Sequence, residues 1–178
     1  MRRLLLNGCL WALVVLCATA CTMAPAPDSS AALPAHVPPA DARALAYGRT
    51  LTEVIQSPEL RDKILGLFGA DWMPAAPGRG QVVLGAAAFL EKGGPLRMVR
   101  IGGRDYIAVT GCVASACPTR RALRLIGEGG SPLFARLDDG AIPRYYAYGG
   151  GGVAPPVNGP TIVDAGLRAL QTIGSAYP

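Results

Sequence analysis

The spacing of apolar residues changes character twice along the chain, and those changes set the expected fold. Ala44, Tyr47, Leu51, Val54 and Ile55 recur at helical spacing behind Asp41, which supplies an N-cap. Ser57-Pro58-Glu59-Leu60 predicts a second helix, with serine as cap and proline at the first position. Leu60, Ile64, Leu67 and Phe68 form its stripe, and Gly69 ends it. After a turn-rich stretch around Pro74, Pro77, Gly78 and Gly80, the period becomes two. Residues 82–84 and 87–91 predict one or two short strands. Residues 96–101 and 105–111, joined by Gly102-Gly103, predict a hairpin. The second of these runs is apolar or small on both faces, as in a central strand. Residues 121–128, the turn Gly129-Gly130-Ser131 and residues 132–137 predict another hairpin, and Asp138-Asp139-Gly140 turns into a run from Ile142 to Tyr148. The glycines at 149–152 read as a flexible loop. Thr161, with Asp164 three residues on, opens a last helix that carries Val163, Leu167, Leu170 and Ile173 on one face. Helix, helix, antiparallel strands, helix is an α+β order, so the expectation is a central antiparallel sheet with helices packed on one face. There is no internal repeat.

The N-terminus has a different character. Met1-Arg2-Arg3, the apolar run 4–16 and Ala18-Thr19-Ala20 make an export signal over residues 1–20. That run is shorter than the ~20 apolar residues a comfortable membrane span needs. Leu16-Cys17-Ala18-Thr19-Ala20-Cys21 resembles a bacterial lipobox, in which Cys21 would be acylated and become the first mature residue; ordinary secretory cleavage is the alternative. Thr22 after the cysteine, rather than aspartate, directs such a lipoprotein to the outer membrane. Residues 22–40 are rich in Ala, Pro and Ser and read as an extended tether from the anchor, so that the domain is expected over 41–178. The tether holds His36, the chain's single histidine.

Composition then narrows the chemistry. Of five cysteines, Cys9 and Cys17 leave with the signal and Cys21 takes lipid, so Cys112 and Cys117 form one pair in an oxidising compartment and a disulfide is the default. Loss of Arg2 and Arg3 lowers the formal net charge from +5 to +3. That is no nucleic-acid signature, and no basic-aromatic repeat accompanies it.

The stretch Gly111-Cys112-Val113-Ala114-Ser115-Ala116-Cys117-Pro118 has several chemical readings. A serine or cysteine nucleophile needs a positioned base, and the expected domain has no histidine; Lys63 and Lys92 stand in no Ser-x-x-Lys arrangement. A phosphatase loop of the same cysteine spacing continues with arginine, where this chain has Pro118. Zinc needs three or four ligands, more than two cysteines provide, and thioredoxin-type sites separate their cysteines by two residues, not four. No metal or cofactor is therefore expected. Asp138-Asp139 before Gly140 reads as turn chemistry rather than an acid/base pair. What remains is a short disulfide-closed loop at a strand end, either a rigid binding device or a plain staple.

The run from Tyr47 to Leu65, then Asp71-Trp72, then Val99 to Cys112 with its four-residue loop and Cys117, resembles the Ivy family of bacterial envelope inhibitors of vertebrate-type lysozyme. The resemblance implies a central antiparallel sheet with helices against one face. It also implies a periplasmic location, a possible homodimer, and a lysozyme-like or lytic transglycosylase partner engaged by the loop. The family's loop reads Cys-Lys-Pro-His-Asp-Cys, and its histidine meets the two catalytic carboxylates. Here Val113, Ala114, Ser115 and Ala116 stand between Cys112 and Cys117, so that Ser115 offers one neutral hydroxyl. Arg120, Arg121 and Arg124 are expected to supply positive charge at the loop's base, Arg120 and Arg124 together on the face opposite Leu123 and Leu125, with a solvated polar face as the alternative. The implied function is non-enzymatic inhibition; the alternative is an Ivy-fold structural or interaction lipoprotein without it.

Overall fold

The structure is a computed structural model, and it describes residues 32–73, 84–140, 142–149 and 159–178. The alternating segment folds into an antiparallel sheet of seven strands: β1 Ala35–His36, β2 Lys92–Gly93, β3 Arg97–Ile101, β4 Arg104–Cys112, β5 Arg120–Gly127, β6 Leu133–Asp139 and β7 Ile142–Tyr148. The spatial order is β1-β3-β4-β5-β6-β7, with β2 paired to the far end of β4. The β3–β4 turn is as expected. Gly102 and Gly103, at φ 56° and 81°, link Ile101 to its partner Arg104. A two-residue hairpin turn of type I′ needs positive φ at both central positions, which glycine adopts without steric cost.

Both faces of the sheet are covered, and this corrects the expectation of helices on one side. On one face, Met98, Ile107, Val109, Ala122, Ile126, Leu133, Ala135 and Leu137 pack under α1 (Leu51–Gln56), α2 (Arg61–Phe68) and two 3-10 turns, Ala42–Leu45 and Ala86–Leu90. On the other, Val99, Ile101, Tyr106, Ala108, Leu123 and Leu125 pack under α3 (Gly159–Thr172) through Val163, Leu167 and Leu170. The reason lies in β4 and β5. Successive side chains point to opposite faces, and these strands are apolar at consecutive positions, so each face needs its own cover. Gly166 brings α3 close, since a Cβ there would sit 3.2 Å from the side chains of Ile101 and Leu125.

Local chemistry shifted several element boundaries. The helix expected from Asp41 is a four-residue 3-10 turn, capped as expected by the Asp41 carboxylate on the Arg43 N–H. Gly48, at φ 139°, then breaks the chain, and α1 restarts behind Thr50. The Thr50 hydroxyl accepts from Glu53 N–H, and the Glu53 carboxylate accepts from Arg49 N–H at 2.7 Å, a close relative of the capping box. Residues 57–60 form a turn that ends on the Ser57 carbonyl, and α2 begins only at Arg61. Residues 87–91 are not a strand: Ala86–Leu90 winds into a 3-10 turn that buries Phe89 and Leu90, and the strand here is β2. Residues 82–83 and the glycines at 150–152 lie outside the described residues.

The end of the expected tether also belongs to the folded unit, which spans Ala32–Pro178. Ala35 and His36 pair with Ile101 and Arg100, while Leu33, Ala35 and Val37 pack on the α3-side core. An Ala/Pro-rich composition does not keep a segment extended in water when three apolar side chains meet an open sheet edge.

Candidate functional site

The loop between Cys112 and Cys117 hangs from the end of the central strand β4, and the core reaches into it. Cys112 is fully buried and Val113 is 6% exposed, packed with the helix-side core; Ala116 packs against the same cluster. Sγ atoms of Cys112 and Cys117 are bonded, with Cα atoms 4.9 Å apart. Backbone hydrogen bonds complete the loop: Val113 N–H donates to the Arg120 carbonyl at 3.1 Å, Ala116 N–H to Val113 at 2.9 Å, and Thr119 and Arg120 N–H both to Ala116 at 3.0 and 2.8 Å. One contact comes from another element. The Glu91 Oε2 accepts from Ala114 N–H at 3.0 Å. Pairing of Lys92 with Cys112 and Gly93 with Gly111 places Glu91 there.

Gly111 makes this arrangement sterically possible. A Cβ on it would lie 2.5 Å from the Phe89 carbonyl oxygen, so only glycine lets β4 pass under the 3-10 turn that leads to Glu91. The exposed tip is small: Ala114 and Ser115, with Pro118 and Thr119 beside the second cysteine. It presents the Ala114 methyl, the Ser115 and Thr119 hydroxyls, the Pro118 ring and the Glu91 carboxylate.

The two arginines expected on one face part company. Arg120 stands at the loop's base, its Nε 3.0 Å from the Asp139 carboxylate, with its side chain 42% exposed. Arg124 does not join it at the surface. It is 2% exposed, lies between Val109 and Ala135 across the strands, and shares its face with Ala122 and Ile126. None of its three guanidinium nitrogens has a hydrogen-bond partner among the described residues, and burial pushes its pKa down to about 9. Neither positive charge for a partner nor a solvated polar face describes it. Alternation along β5 correctly put Arg124 opposite Leu123 and Leu125, but that face is roofed by helices and turns, which strand periodicity does not reveal.

Asp138 and Asp139 point to opposite faces of β6. Asp138 is buried, bound by Arg136 Nε at 2.7 Å and by the Tyr177 hydroxyl at 3.0 Å, while Asp139 takes Arg120. Burial, and then the Asp138 charge, hold the Tyr177 phenol well above its ordinary pKa. The Arg121 guanidinium lies 4.2 Å over the Tyr177 ring, which fixes the C-terminal residues beside the loop-bearing end of the sheet. Arg136 also reaches Asp164 at 2.7 Å, and Tyr145 donates to the same carboxylate at 3.0 Å. Tyr146 packs edge-on against Phe68 and donates to Asp71 at 2.8 Å. These carboxylates are consumed by structural pairing.

Sequence reasoning missed Glu91. Its only signal was position, one residue ahead of a two-residue strand that composition does not mark. Cys21, the signal and residues 22–31 lie outside the described residues. The class the fold defines is thus an α+β domain with a tied loop at the end of its central strand. Searches of family models, curated proteins and solved structures find no match for this chain.

Proposed function

We propose that this protein is an envelope-located, non-enzymatic binding protein of the Ivy lysozyme-inhibitor type, whose Cys112–Cys117 loop blocks a lysozyme-like muramidase or a lytic transglycosylase. One observation carries the reading: the exposed tip Ala114-Ser115 is held from three sides, by the disulfide, by Val113 anchored in the core and by Glu91 on the Ala114 N–H. A tip fixed before contact loses less conformational entropy on binding than a free loop, whose backbone ordering costs about 1–2 kcal/mol per residue. Export, acylation of Cys21, tethering through residues 22–31 and a homodimer belong to the same proposal. Mass spectrometry of the mature N-terminus and sedimentation test these parts, and an unmodified Cys21 removes the anchor.

The deciding experiment measures inhibition of purified c-type, g-type and phage-type lysozymes and of a lytic transglycosylase by this protein. Inhibition of one of them, abolished by Ser115→Arg, is the expected result. Inactivity against all four, with no muralytic enzyme recovered in a pull-down, defeats the inhibitor reading.

A second reading, an interaction or structural lipoprotein of the same fold without inhibition, is favoured by one feature of the tip. It carries no cation, and Arg124 is withdrawn into the core. The same assay separates the two.

A further inference from the structure

Taking the loop as a contact surface, as proposed above, we infer that the surface receiving it presents a lysine or arginine side chain to Glu91, which makes Glu91 a specificity-determining residue of this site. Glu91 is exposed, and one carboxylate oxygen holds the Ala114 N–H at 3.0 Å. Its charge is otherwise unanswered: among the described residues no ion pair reaches it, although Lys92 is the next residue. The nearby arginines are committed elsewhere, Arg120 to Asp139 and Arg121 to Asp138 and the Tyr177 ring. The surface that any partner meets is therefore the Ala114 methyl, the Ser115 hydroxyl, Pro118, Thr119 and the Glu91 carboxylate, with Lys92 exposed beside it and making no ion pair to it.

Docking that tip takes the carboxylate out of water. Burying an unpaired charge costs more than the Ala114 methyl and the Pro118 ring return. A cation opposite Glu91 reverses the balance, and it also speeds encounter in a salt-dependent way. A cleft that faces the tip with ionised carboxylates, such as the catalytic pair of a glycoside hydrolase, repels it. Against such an enzyme the cationic group must stand at the cleft rim, offset from the pair.

Two substitutions separate this role from simple loop support. Glu91→Gln keeps an oxygen that can accept from Ala114 N–H and removes only the charge; Glu91→Ala removes both. Binding to the four muralytic enzymes named above is measured at low and high salt, with thermal unfolding as a check on the fold. For the enzyme that binds, Glu91→Gln is expected to weaken affinity about tenfold or more and to flatten the salt dependence, with an unchanged melting temperature. If Glu91→Gln binds like the parent while Glu91→Ala and Ser115→Arg weaken, Glu91 only supports the loop; the inference is overturned and the inhibitor reading stands. If Ser115→Arg is also silent, the loop is not the contact and both fall, as they do if none of the four enzymes binds.

Discussion

Replacing Arg124 by methionine is expected to stabilise this protein, although it deletes a large buried side chain. A guanidinium shielded from water, with no hydrogen-bond partner among the described residues, is held in its charged form at a cost. The depressed pKa gives the scale. Burial lowers the proton affinity of Arg124 by between three and four orders of magnitude, to a pKa of about 9, and each order is about 1.4 kcal/mol, so the penalty at neutral pH is about 5 kcal/mol. Methionine is unbranched and fits the same channel between Val109 and Ala135, leaving a void worth about 1 kcal/mol. A net gain of roughly 2–4 kcal/mol follows, or about 5–15 °C in Tm for a domain of this size. The pH dependence has a definite sign. Above pH 9 the folded state releases the Arg124 proton while the unfolded chain keeps it, so the parent's stability rises with pH from there. Below pH 9 both states are charged and the whole penalty is present. Urea unfolding of parent and Arg124→Met at pH 7 and pH 10, with equal m-values, should show the variant ahead at pH 7 and the gap narrower at pH 10. A variant less stable than the parent at pH 7, or a gap indifferent to pH, refutes the reasoning and shows that Arg124 has an acceptor in the folded protein.

Other substitutions probe the loop and its supports. Changing Cys112 and Cys117 to alanine together opens a short ring and should cost about 2 kcal/mol, read as a lower urea midpoint under oxidising conditions, with loss of any enzyme inhibition. Gly111→Ala drives a methyl group into the Phe89 carbonyl and should cost roughly 1–3 kcal/mol; a neutral result in thermal unfolding would mean that the 3-10 turn yields freely. Hydrogen bonds from Arg100 and then Arg43 depress the Asp105 carboxyl to a pKa of about 2, so its contribution is present above about pH 4 and is lost as the pH falls towards 2. Both arginines are largely exposed, which limits this to about 1 kcal/mol, and Asp105→Asn should remove that part of the acid sensitivity. Tyr146→Phe leaves the packing on Phe68 and returns the exposed Asp71 carboxylate to water, and should lower stability by about 0.5–1 kcal/mol; it should also delete a phenol whose pKa burial, and then the Asp71 bond, raise to about 12 in a spectrophotometric titration.

Strand periodicity alone located β3 to β7 and the Gly102-Gly103 turn, because each of those elements is specified by neighbours one or two residues away. It also placed α3 by its stripe of Val163, Leu167 and Leu170, and cysteine counting named the Cys112–Cys117 bond. The apolar character of β4 on both faces already implied two covers, yet nothing local stated which helix lies on which side. That is settled by the placement of α3, whose Val163, Leu167 and Leu170 pack on the face opposite α1 and α2. Two further features depend on the assembled molecule in the same way. Arg124 reads as a surface residue in any window of β5 and is buried because the Ala86–Leu90 turn and the helices close over its face. Glu91 reads as an ordinary surface charge and becomes part of the loop because β2 registers it beside Ala114. Patterning is carried by bonds between near neighbours; burial and cross-strand contacts belong to residues far apart in the chain, and only the folded sheet brings those together.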